Sequence, residues 1–67
     1  MYVSFLIDRN GDLGPIFSGE AGECLSLIDK HAASIGVTFR DKERRELTSS
    51  GNLKMAGVGT FYIGLIE

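Results

Sequence analysis

Tryptophan is missing from this chain, and cysteine, histidine and proline occur once each, as Cys24, His31 and Pro15. One thiol excludes an internal disulfide, and a single histidine beside it leaves no four-ligand zinc set. Hydrophobic runs of membrane length are missing as well. A span needs about 18–20 apolar residues, and the most apolar stretch is broken by Lys54, Gly57, Gly59, Thr60 and Gly64. No basic leader precedes a short apolar core at the start, so no signal peptide is expected, and a lone thiol fits a reducing compartment. Cytoplasm is the expected location. A strong charge of either sign is missing too: seven Lys and Arg stand against nine Asp and Glu, a net charge of −2. That speaks against a nucleic-acid binder, whose basic face usually shows in the total.

What is present is a short, apolar-ended chain. Sixty-seven residues make one small domain, expected to span 1–67. At this size only about 60% of the unfolded surface is buried, so stability is marginal and help from oligomerisation or docking is expected. Both ends, Met1–Ile7 and Leu53–Ile66, are apolar. Chain ends fray unless tied down. The expectation is therefore a complete domain whose two ends are neighbouring strands of one sheet.

Residues 1–8 alternate as a strand does, with Val3, Phe5 and Ile7 on one side and Tyr2, Ser4, Leu6 and Asp8 on the other. Arg9-Asn10-Gly11-Asp12 then predicts a tight hairpin with positive φ at Asn10 and Gly11. Leu13–Phe17 is the expected return strand, placed at a sheet edge by Pro15, which has no N–H to donate. Ser18 is the expected N-cap of a helix running to about Ile35. Its buried stripe is Ala21, Cys24, Leu25, Ile28, Ala32 and Ile35, and Gly36 supplies the left-handed stop. Val37–Arg40 alternates again and predicts a third strand. Residues 41–47 form either a short solvated helix capped by Asp41 or a charged loop, and Thr48–Asn52 is a turn by composition. Leu53–Ile66 accommodates two short strands bent at Gly57-Val58-Gly59, or one strand with a bulge there. The fold class that results is α+β. One main helix packs on a small, mostly antiparallel sheet of three to five strands, in the order β-β-α-β-(short helix or loop)-β(-β).

The candidate chemistries are few. Asp8-Arg9-Asn10-Gly11-Asp12 opens like a calcium loop, but the glycine and terminal glutamate that such a loop needs are replaced by Leu13 and Gly19, and hairpin chemistry accounts for the residues. Cys24 and His31 lie two helical turns apart, about 10 Å along the axis, too far for a thiolate–imidazole pair. Glu20 and Glu23 sit where the helix dipole favours acids, so a solvated role explains them. Ser49 and Ser50 have no partnered base in the pattern. Gly57-Val58-Gly59 lacks the Lys-Ser/Thr of a phosphate loop. Gly57-Val58-Gly59-Thr60-Phe61-Tyr62-Ile63 resembles the glycine–aromatic turn of the histone-like HU/IHF family, in which a short strand feeds a β-arm. The likeness covers seven residues, the basic arm does not follow and the start is a strand, so it is shared turn chemistry.

No catalytic residue, metal ligand or cofactor site is therefore expected. The expected function is that of a small non-enzymatic module binding another protein by surface occupancy. Tyr and Arg are enriched at binding hot spots, and sheet edges invite strand addition. Size and apparent completeness suggest a phage-type inhibitor of a bacterial nucleic-acid machine, anti-CRISPR or anti-defence in kind. Its acids Asp8, Asp12, Glu20 and Glu23, with Tyr2 and Tyr62, would meet a basic surface. The alternative is direct nucleic-acid binding through Arg40, Lys42, Arg44, Arg45 and Lys54, although Asp41, Glu43 and Glu46 bring residues 41–46 to zero net charge. A second alternative is a structural or regulatory homodimer.

Overall fold

A computed structural model describes residues 1–66; Glu67 lies outside it. Strand β1 (Tyr2–Asp8) is followed by β2 (Phe17–Gly19), helices α1 (Ala21–Ser34) and α2 (Asp41–Ser50), then β3 (Asn52–Met55) and β4 (Gly59–Leu65). Among the described residues the sheet is four-stranded and antiparallel, in the order β2-β1-β4-β3. The two apolar ends are indeed neighbours: β1 and β4 pair along their whole length, from Tyr2 opposite Leu65 to Asp8 opposite Gly59. The α+β class holds, with both helices on one face of the sheet. Leu6, Phe61, Ile63 and Leu53 from the strands meet Cys24, Ile28, Ala32 and Leu47 from the helices in one core.

Helix α1 hangs on small contacts. The Ser4 hydroxyl, fully buried, donates to the Cys24 carbonyl at 2.9 Å, and the Cys24 thiol donates to the Tyr2 carbonyl at 3.3 Å. Two small side chains here let the helix lie close to β1, and each polar atom has a partner, as burial demands. The helix begins later than expected. Ser18 pairs with Val3 in β2, so the N-cap is Glu20, whose N–H reaches the Glu23 carboxylate at 3.4 Å. The stop is as expected, with Gly36 at φ 83°. Gly36 N–H bonds to the Ala33 carbonyl and Val37 N–H to that of Ala32, a Schellman motif.

That motif explains why Val37–Arg40 is not the expected strand. The Val37 N–H is committed to the helix end, and the segment links α1 to α2 within the helical layer. Its alternation still serves packing: Val37 and Phe39 are buried, and Phe39 meets Phe61 edge-on at 4.9 Å. Residues 41–50 are helical, but the cap is Arg40 rather than Asp41, with the Arg40 N–H bonded to Glu43 at 2.8 Å. Thr48–Ser50 belong to this helix and not to a turn. The Thr48 and Ser49 hydroxyls bond back to carbonyls three or four residues earlier, which lets polar residues sit in a last turn.

The first hairpin also departs from expectation. Asn10 does not take positive φ; Gly11 alone does, at 84°. Gly11 N–H closes on the Asp8 carbonyl, and the Asp8 carboxylate accepts from the N–H groups of Asn10 and Asp12 at 2.9 and 3.0 Å. Aspartate at the first position favours this wider loop over the two-residue turn. The return strand is Phe17–Gly19, not Leu13–Phe17. Leu13 makes one bridge to Ile7, and pairing resumes only at Ser4 with Phe17, so the Pro15 side carries an extra residue. The edge position of this strand is as expected. The closing segment forms two strands, β3 and β4, turning through Ala56–Val58.

Candidate functional site

The four acids expected to act together stand as two pairs at opposite ends. Glu20 and Glu23 open α1 beside Gly19, which pairs with Tyr2, whereas Asp8 and Asp12 close the hairpin at the far end of β1. Six residues of strand separate these ends, about 20 Å. One oxygen of Asp8 is already bonded to the loop it organises. Tyr2 and Tyr62 are also apart. Tyr2 shares a face with Ser4 and Leu6 and packs against the core, while Tyr62 lies opposite Phe5 on the other face.

The basic cluster divides in the same way. Arg44 bridges to Asp29 of α1 at 2.9 Å, through Nε and Nη2 both, and to Asp41 at 3.3 Å. It ties the two helices together. Arg40, Lys42 and Arg45 are exposed with Asp41 and Glu46 among them. Lys54 belongs to the opposite side of the molecule, since it pairs with Thr60 on the face that carries Tyr62.

Cys24 and His31 do not meet. The thiol faces backbone carbonyls of β1 and β2, and the His31 ring lies 6.1 Å from that of Phe17. Among the described residues no three His, Cys, Asp or Glu side chains gather as metal ligands would. An open cleft of about 430 Å³ lies between the first hairpin, the end of α1 and the β3–β4 turn, lined by Leu13, Ile35 and Val58 with Asp12 and His31. It is built from three segments remote in sequence, and no local pattern announces it.

The surface with most to offer is the face of the sheet away from the helices. Among the described residues no helix or strand packs on it. Antiparallel sheets with one solvated face normally turn polar side chains outward. Here β1 turns out Val3, Phe5 and Ile7. The pairing arranges this face in rows. Ser18, Val3 and Gly64 form one; Phe5, Tyr62 and Asn52 the next; Ile7, Thr60 and Lys54 a third. Phe5 and Tyr62 stack at 5.1 Å with 24° between their planes. Ile66 N–H bonds to the Met1 carbonyl, extending the pairing by one more row of exposed apolar side chains. The result is an apolar centre on the two middle strands and a polar rim on the two edges. Interfaces share that anatomy.

Of these residues, only Tyr62 and Lys54 stood among the sequence candidates, and in opposing roles. The outward set of β1 was legible as a set. Which side of the strand the helices would cover was not. Comparison of the chain with known protein families, with curated proteins and with solved structures finds no match.

Proposed function

We propose that this chain is a small non-enzymatic interaction module that binds another protein through the uncovered face of its sheet. One observation carries the reading: every side chain that β1 turns away from the helices, Val3, Phe5 and Ile7, is apolar, and each is only half-buried. Covering the part of Val3, Phe5, Ile7 and Tyr62 that is still exposed would gain roughly 25 cal/mol for each Å². The cysteine is consistent with a packing role, since its thiol is bonded to backbone. The cytoplasm remains the location that a single unpaired thiol suits best. Among the described residues no helix is long and apolar enough to cross a membrane.

Inhibition of a nucleic-acid machine by an acidic surface is a narrower version of this reading. It would require one basic partner to span both acidic ends of the fold. Direct nucleic-acid binding has less support still, because Arg44 is paired within the fold and Lys54 is remote from Arg40, Lys42 and Arg45.

The test is affinity capture with nuclease present and absent. Bait proteins would be the native chain, Thr60→Lys on the uncovered face, and Lys42→Glu with Arg45→Glu on α2. Proteins held by the native chain should be lost with Thr60→Lys and kept by the α2 variant, whether or not nuclease is added. Loss on the α2 variant alone, or dependence on intact nucleic acid, would refute the face as the binding surface.

A further inference from the structure

The chain has two asparagines, and the fold treats them in opposite ways. Asn52 opens β3 opposite Tyr62, its side-chain amide donates to the Ser50 carbonyl at 3.4 Å, and the buried Leu53 follows it. Asn10 stands exposed at the tip of the first hairpin, and Gly11 follows it. Among the described residues nothing holds the Asn10 side-chain amide; only its backbone N–H is bonded, to the Asp8 carboxylate. Gly11 brings no side chain to shield its own nitrogen, and the space where a Cβ would stand is empty out to 4 Å. An amide carbon on a free side chain and a bare backbone nitrogen therefore lie within reach of closing a five-membered ring. Intramolecular attack of that kind is strongly favoured over attack from solution.

We propose that Asn10 is a site of self-modification, at which the Gly11 nitrogen attacks the Asn10 side chain and residue 10 becomes isoaspartate or aspartate. Hydroxide takes the Gly11 amide proton, and the nitrogen forms a bond to Asn10 Cγ. The Cγ–Nδ2 bond breaks, Nδ2 takes a proton from water and leaves as ammonia, and a succinimide remains. Water then adds to one of the two ring carbonyls. Breaking the new Cγ–N bond restores the original main chain and gives aspartate. Breaking the older bond, from the Asn10 carbonyl carbon to the Gly11 nitrogen, gives isoaspartate, with the main chain rerouted through Cβ and Cγ. Nothing is oxidised or reduced; the chain exchanges an NH2 for an OH.

The native loop slows the first step without preventing it. The Gly11 N–H donates to the Asp8 carbonyl at 2.9 Å, and that bond must open before the nitrogen can attack. The Asp8 carboxylate keeps the loop closed by accepting from the N–H groups of Asn10 and Asp12. Loop tips with exposed hydrogen bonds open at little cost. Either product adds a carboxylate beside Asp8 and Asp12, and isoaspartate also lengthens the main chain by one carbon. The bond from the Asp8 N–H to the Asp12 carbonyl depends on the length of this loop, so the isoaspartyl form loosens the hairpin. The same hairpin is one wall of the cleft beside α1.

The test is incubation of the native chain, Asn10→Gln and Asp8→Ala at about 37 °C, with circular dichroism confirming that each is folded. Samples are digested at acid pH, where the ring does not form, and mapped by mass spectrometry with isoaspartyl methyltransferase labelling. The native chain should gain acid at residue 10 and keep Asn52 intact. Conversion should be about tenfold faster at pH 8 than at pH 7, because hydroxide takes the proton. Asn10→Gln should lose the reaction, since its ring would need six members, and Asp8→Ala should speed it by about threefold or more. The isoaspartyl form, separated by ion exchange, should unfold about 5 °C below the native chain. A folded chain that keeps Asn10 while the urea-unfolded chain converts would overturn the proposal. So would conversion of Asn52 as fast as that of Asn10. Equal rates in Asp8→Ala and the native chain would overturn Asp8 as the restraint, and an unchanged Tm the loosening of the hairpin.

Discussion

Gly59 shows how strictly a single position can be determined. It starts β4 directly beside the end of β1, with φ at 140°. A Cβ there would lie 2.2 Å from the Ile7 carbonyl oxygen and 2.6 Å from the Asp8 Cα, both backbone atoms that cannot swing aside. Gly59→Ala should cost about 3 kcal/mol and lower Tm by about 15 °C. Thermal unfolding followed by circular dichroism measures it, and a loss below 1 kcal/mol would mean that the strands separate easily here. Gly64, five positions on, is the reverse case, with space around it and no conformational demand. The two glycines look alike in the sequence. Only the distance to the neighbouring backbone tells them apart. Ser4 makes the same point: composition gives no reason for it to face the core while Phe5 faces outward. The buried hydroxyl is accounted for by the Cys24 carbonyl that accepts from it.

Between elements, the Asp29–Arg44 pair is the visible polar tie across the helical layer. Its side chains are 30% and 40% exposed, so solvent screens much of the attraction. A double-mutant cycle with Asp29→Asn and Arg44→Gln, read by urea unfolding, should return a coupling of about 0.5–1 kcal/mol that shrinks in 1 M salt. A coupling near zero would leave α2 held by Leu47 and the Phe39–Phe61 contact alone. Several elements were legible before the structure: β1 from its alternation, and α1 from its stripe and the Gly36 stop, although Ala21 and Ile35 at the two ends of that stripe are exposed; for Leu53–Ile66 the glycines left two strands and one bulged strand both open, and two strands form. Others were not. Val37–Arg40 has a strand's alternation but not a strand's partner, because its first N–H completes the end of α1. Ser18 has the chemistry of a cap, yet the ladder with Val3 claimed it first. Periodicity reports which side chains are buried; it does not report what the backbone is bonded to.

For the whole molecule, marginal stability and an uncovered apolar face belong together. A chain that buries little surface alone gains from covering what remains. The cleft beside α1 and the dispersal of the acids and arginines are also facts at this scale. Each depends on which chain segments the topology brings to one end of the fold.

The order of residues alone determined the α+β class, the main helix with its stop, and the pairing of the two apolar ends. These follow from local periodicity, glycine's backbone freedom and the need to shelter apolar termini, all of which act over a few residues. The tertiary structure decided which side of β1 is covered, where each candidate charge stands, and that Phe5 and Tyr62 share an open face. Those outcomes depend on where the helical layer settles, and it settles on the Ser4 side because small side chains there allow close approach and satisfy each other's polar atoms.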